Sequence, residues 1–210
     1  MDSQLEFGNS VARGVLPPNL PGYDPAVAGY GYDPVKARAL LEEAHFPYES
    51  KPLLWFQGDQ TAEMLAESIQ QDLALVGVNI RLKPVAWGPL LEAVRQPKNV
   101  ELFRAAWEAD FPDPENFLSV LLSKNQFGSN NDSFFTDPEV EKLLAQAAPM
   151  TDFKKRYEIY DEAQRIIIAD APWVFLYHPV TYIIRKPWVH DYIMNGMRPT
   201  RFERVWLSQR

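Results

Sequence analysis

The sequence predicts a mixed α/β fold, with helices packed on a mixed sheet, and three observations carry that prediction. Short apolar runs with strand period alternate with longer runs of helical period, the order expected of an α/β layer. Asp-Pro stands ahead of a helical pattern at 33–34, 113–114 and 137–138. An Asp there accepts from the free amides of a first turn, and a Pro has no donor to waste. The composition is globular, 46% hydrophobic and 23% charged over 210 residues, which suits one ordinary domain or one lobe of something larger.

Residues 1–32 read as an irregular arm rich in Pro, Gly and Tyr, and long by the usual measure of loops. Its tyrosines Tyr23, Tyr30 and Tyr32 offer either a stacking surface or simple packing across the lobe. Asp33 then caps a helix running to about His45, with Ala37, Leu40, Leu41 and Ala44 in phase. Residues 52–56 are a buried strand. The next helix covers 60–76, with Met64, Leu65, Ile69, Leu73 and Val76 on one face and Gly77 as the residue that ends it. Val78, Ile80 and Leu82 alternate with polar residues, as in a half-buried strand. Residues 87–95 are helical with Leu90, Leu91 and Val94 inward, and 100–107 are a strand. After a polar loop at 123–135, Asp137 opens a helix carrying Val140, Leu143 and Leu144. The longest helix begins at Thr151, with Phe153, Tyr157, Tyr160, Ala163, Ile167 and Ile168 near one stripe, and Ala171-Pro172 ends it. Strands at 173–177 and 181–185 flank His178-Pro179, and His178 reads as a turn residue. The α/β lobe thus spans 33–187, and 188–210 form an extended aromatic tail.

The formal net charge is −7, which disfavours wholesale nucleic-acid wrapping or binding to an anionic membrane. There is no cysteine, so disulfides, thiolate nucleophiles, iron–sulfur clusters and Cys-zinc sites are excluded together. No apolar run reaches the length of a membrane span. The N-terminus, Met1 to Glu6, has neither the basic nor the apolar region of a signal peptide.

The densest chemical constellation is Trp107-Glu108-Ala109-Asp110-Phe111-Pro112-Asp113-Pro114-Glu115-Asn116-Phe117-Leu118. Carboxylates alternate with aromatics where a strand is expected to become a loop, and in an α/β layer strand C-termini are where ligands sit. A carboxylate beside indole and phenyl rings suits a cationic or amine ligand, through a charge-assisted hydrogen bond and cation–π attraction. Asp113 reads as the cap of the next helix, and Trp107 and Phe117 read equally well as core. A second chemistry uses the same residues: Glu108 and Asp110 share parity on the expected strand, about 6–7 Å apart, a spacing open to a glycosidase pair.

Other chemistries find little support. His45, His178 and His190 form no metal motif, and His45 near a helix end favours the dipole. No GxSxG, GxxxxGK[ST] or GxGxxG appears. No metal and no cofactor is expected.

Six blocks in order resemble the C-terminal portion of the extracytoplasmic solute-binding proteins of oligopeptide and dipeptide ABC importers, a family that also includes nickel and sugar binders. GVLPPNLPGYDP resembles the entry to the family's second lobe, and YDPVKARALLEEAHF its first helix, with His45 where the family usually has Gly. AESIQQDLALVGVNIRLKPVAWGPLLEAV resembles a helix–strand–helix unit, and AAWEADFPDPENFL the "GW-x-ADYPDP-x-x-FL" loop. DPEVEKLLAQA and RYEIYDEAQRIIIADAPWVFLYHP resemble the last two helices and the segment after them. The resemblance implies one lobe of a two-lobed periplasmic-binding-protein-like fold, a fragment or stand-alone C-terminal lobe whose tail returns toward an N-terminal lobe. It implies a binding protein and not an enzyme, outside the cytoplasm, periplasmic or extracytoplasmic. Its partners would be a peptide or other small solute, an ABC permease in the membrane and the missing N-terminal lobe, with no nucleic acid. Asp110 matches the residue that pairs with a peptide's α-ammonium in the family, and Trp107 a cleft-side aromatic. Glu108 and Phe111 complete the expected ligand-binding set. An interaction module that binds no solute alone is the other reading.

Overall fold

The computed structural model describes residues 8–27, 29–194, 196–197 and 202–209. The reading of the N-terminus and parts of the arm and tail therefore lie outside the described residues. The described chain forms two compact units, each assembled from several segments: one holds 30–106 and 122–136, the other the described residues of 8–29, 107–121 and the described residues from 137 to 209.

The first unit is built on a parallel three-stranded sheet. Helix α1 (Pro34–Glu43) starts where Asp33 accepts from the Lys36 amide at 2.9 Å. It stops at Ala44, and His45 takes a left-handed φ of 51°. Strand β2 (Leu53–Gln57) lies between β3 (Arg81–Val85) and β4 (Leu102–Phe103). The register pairs Trp55 with both Lys83 and Phe103, and the Lys83 ammonium lies 3.3 Å from the Trp55 ring centroid. Pro84 costs the sheet nothing because β3 is an edge strand.

Helix α2 (Gln60–Leu75) crosses over between β2 and β3, capped by Asp59. Its buried face is Ala62, Leu65 and Ala66, with Ile69 and Leu73 partly buried, so Met64 points outward at 48% exposure. Two alanines with no exposed surface set this phase, because only small side chains let the helix close on the sheet. Gly77 ends the helix at φ 89° as expected, and a Cβ there would lie 3.0 Å from the Tyr48 ring. Val78 and Ile80 are buried, but strand pairing begins only at Arg81. Helix α3 (Trp87–Val94) buries Leu90, Ala93 and Val94, with Leu91 half-buried.

The expected strand at 100–107 is reduced to Leu102–Phe103. The Arg104 amide makes a last bond to the Trp55 carbonyl, 2.9 Å, and the chain then leaves the sheet. Helix α4 (Ser119–Leu122) is a single turn that buries Leu121 and Leu122.

The second unit is mainly helical. Helices α5 (Pro138–Ala147) and α6 (Phe153–Asp170) pack against each other, joining Val140, Leu143, Leu144 and Ala147 to Tyr160, Ala163, Ile167 and Ile168. Asp137 and Asp152 cap them. The stripe on α6 differs from expectation at its start: Phe153 is 60% exposed, while Arg156 and Gln164 are buried. Ala171 closes α6 in the left-handed region at φ 50°.

The described part of the arm up to Gly29 is built into this unit. Val15, Leu16 and Val27 are buried, and β1 (Ser10–Val11) pairs antiparallel with β5 (Tyr177–His178). His178 is therefore a strand residue and not a turn, and burial lowers its pKa. No strand pairing occurs at 181–185 among the described residues, and Ile184 is 99% exposed. β-branched composition favours strands only where a neighbour exists. In the tail, β6 (Val189–His190) and β7 (Trp206–Leu207) form an antiparallel pair. Parallel and antiparallel strands thus occupy separate sheets in this mixed α/β fold.

Candidate functional site

The acidic and aromatic run from Trp107 to Phe117 lies wholly in the second unit. It carries little regular structure, and three anchors shape it. The first is local. Asp113 accepts from the Glu115 amide at 2.9 Å and caps a single 3-10 turn, Pro114–Asn116. Asp113 is a cap, as expected, although the helix it opens is short.

The second anchor is Arg156 of α6, only 5% exposed. Its Nη1 donates to Asp113 Oδ2, and its Nη2 donates to Glu115 Oε2 at 3.2 Å and to Tyr160 Oη at 3.0 Å. Its Nε donates to the Ala147 carbonyl at 3.1 Å. All three guanidinium nitrogens are used, which is how a buried cation offsets its lost hydration. Burial pushes the Tyr160 phenol up to about 12, so it stays neutral beside the cation.

The third anchor is Asn116, 1% exposed. Its Oδ1 accepts from the Trp107 indole nitrogen at 2.9 Å and from the Asp110 amide at 3.1 Å. Ala109, between these donors, is buried and bridges to Met197 in the tail.

These anchors leave the four expected site residues at the surface. Glu108 and Asp110 are exposed, and Trp107 and Phe111 keep 36% and 41% of their surface. The Asp110 carboxylate makes no hydrogen bond or ion pair among the described residues, whereas Glu108 does have a partner. An unpaired carboxylate beside two half-open rings can hold an ammonium, and the buried Asn116 fixes where its backbone sits. The glycosidase spacing assumed a strand through Glu108 and Asp110. No strand is there: the Asp110 amide donates to the Asn116 side chain instead of to a neighbouring strand.

Sequence reasoning missed Asn116 and Arg156. A signal for Arg156 existed: it shares a helical stripe with Tyr160, Ala163 and Ile167, where a cation is out of place without an acidic partner. Elsewhere, a groove of about 580 Å³ opens at the C-terminal ends of β2 and β3, lined by Gly58, Asp59, Gln60, Glu63, Pro84, Val85 and Ala86. Among the described residues no cluster of His, Asp or Glu could hold a metal ion, and no helix is long and apolar enough to cross a membrane.

Comparison with known proteins agrees with the order of motifs. Heme-binding protein A of Haemophilus influenzae is 30% identical over 201 residues, covering 93% of this chain and 36% of that protein. The dipeptide-binding protein of Escherichia coli K12 is 31% identical over 201 residues, covering 92% of this chain and 37% of its own length. Among solved structures, the ABC transporter-associated periplasmic binding protein DppA from Helicobacter pylori, in complex with the peptide STSA, superposes with a TM-score of 0.90. It is 30% identical and is matched over 99% of this chain and 42% of that one. The chain therefore spans about two fifths of the length of these proteins. Its fold is that of periplasmic binding proteins, as the motifs implied. The model of the bacterial extracellular solute-binding proteins, family 5, middle region, matches residues 3–129, and the chain belongs to that family of solute-binding proteins.

Proposed function

We propose that this chain is the C-terminal, peptide-facing lobe of the substrate-binding component of an ABC importer, with Asp110 holding the ligand's amino terminus. One observation carries the reading: Asp110 presents a carboxylate that is unpaired among the described residues, flanked in sequence by Trp107 and Phe111, from a loop whose backbone bonds to a buried amide. Peptide as the ligand class is supported by the relatives named for dipeptides and by the peptide-bound Helicobacter pylori structure. The protein works outside the cytoplasm, an N-terminal lobe closes over the ligand, and the closed form meets a membrane permease. Closure matters physically. An ammonium–carboxylate contact is weak while water screens it and strengthens as the lobes expel that water. Glu108 adds negative potential, and the rings add contact area without chemistry.

A thermal-shift series tests this with peptides of two to eight residues, their N-acetylated forms and hemin, on the parent and Asp110→Ala. Free peptide at a hundred times its dissociation constant should stabilise the parent by about 2.7 kcal/mol. Asp110→Ala should weaken that binding about 10–100-fold. Equal binding by the variant removes Asp110 from the site. A shift with hemin and none with peptides overturns the ligand class.

A further inference from the structure

We propose that Asn116 is the positioning residue of this amine site, a buried amide clamp that sets Trp107 and Asp110 relative to each other before any ligand arrives. The inference rests on the reading of Asp110 as the amine-holding carboxylate.

Both groups that face the Asn116 side chain are donors: the indole N–H of Trp107 at 2.9 Å and the backbone N–H of Asp110 at 3.1 Å. Indole nitrogen donates only, so the amide oxygen, not its nitrogen, must face them, and its two lone pairs are both taken. Asn116 is 1% exposed, so water does not compete for that oxygen. One atom therefore ties the aromatic wall to the backbone of the carboxylate residue.

The clamp is itself held from behind. Asn116 ends the turn capped by Asp113, and its own amide donates to the Asp113 carbonyl at 3.0 Å. Arg156 grips both Asp113 and Glu115 of that turn. A rigid α6 residue thus fixes the turn, the turn fixes Asn116, and Asn116 fixes the two groups a ligand meets. Among the described residues no other side chain bonds to the Trp107 indole or the Asp110 amide. Without the clamp, each ligand would have to order this loop as it binds, and affinity falls by that cost.

The test titrates this chain, monitored by NMR, with dialanine and N-acetyl-dialanine. The readout is the ratio of the two affinities, which a change in stability alone does not move. Asn116→Leu should weaken dialanine about 10-fold and leave N-acetyl-dialanine unchanged, with faster solvent exchange at the Trp107 indole. Asn116→Asp keeps an acceptor oxygen for both donors and should restore the slow exchange at the Trp107 indole. If Asn116→Leu does not fold, Asn116→Ser is read the same way, since its hydroxyl is too short to meet both donors.

Asp110→Ala separates the two ideas. If it loses the ratio while the folded Asn116 variants keep it, the clamp is refuted and the amine site stands. If Asp110→Ala keeps the ratio, or the parent shows none, the amine site is refuted and the clamp with it.

Discussion

Replacing Arg156 by Met takes one cation out of the second unit and leaves its partners in place. The side-chain volume is nearly conserved, so the cavity contribution is small. The loss is one of pairing. Asp113 keeps only its cap bond while its side chain is 20% exposed, and Glu115, at 40%, can turn to water. The Ala147 carbonyl and the Tyr160 hydroxyl each lose a donor as well. Breaking one side of a buried ion pair costs about 3–5 kcal/mol, and the partial exposure of the carboxylates places Arg156→Met near the lower end, about 3 kcal/mol. For a chain of this size that is a fall in Tm of about 6–12 °C. Urea unfolding monitored by circular dichroism gives the free energy. A cycle with Asp113→Asn isolates the pair, with an expected coupling of about 1–2 kcal/mol. A loss below about 1 kcal/mol, or strictly additive single mutants, would show that Arg156 fills space rather than holds the turn.

Two further predictions concern the first unit. His45 sits at φ 51° after α1, where a side chain is strained, so His45→Gly should stabilise the chain by about 0.5–1 kcal/mol; a destabilised variant in the same urea assay refutes the cap reading. Asp132 has a buried oxygen without a hydrogen-bond partner among the described residues, and burial, opposed by Arg95, pushes its carboxyl up to about 6. The folded form therefore binds the proton more tightly than the unfolded chain, whose Asp titrates near 4. Stability from this residue rises as pH falls from about 6 to about 4, and the full penalty is present above about 6. The side chain is half-buried, so screening reduces the penalty to about 1 kcal/mol. Asp132→Asn should be more stable by that amount at pH 7 and should lose the advantage by pH 4. A difference that does not change with pH counts against the assignment.

Much of this protein is local, and its local features could be read from its sequence. The Asp33, Asp113 and Asp137 caps, the Gly77 stop and the α2 and α6 helices rest on contacts within a turn, between residues a few positions apart. The order of six motifs carried the family, because order along a chain survives where each short motif is degenerate. The position of Asp110 in the acidic loop was legible for the same reason.

The tertiary structure decided the rest, since strand ends, helix phase and buried polar partners depend on neighbours far along the chain. The strand expected over 100–107 stops at Phe103, because pairing needs a facing strand as well as suitable residues. Ile184 stays exposed for want of one among the described residues. Met64 turns outward because two alanines, not the larger apolar residues, meet the sheet. Arg156 reaches Asp113 and Glu115 across 43 and 41 residues, a distance that no periodicity spans. The Asn116 side chain likewise bonds to the Trp107 indole and the Asp110 amide, 9 and 6 positions away, and Asp110 is left exposed.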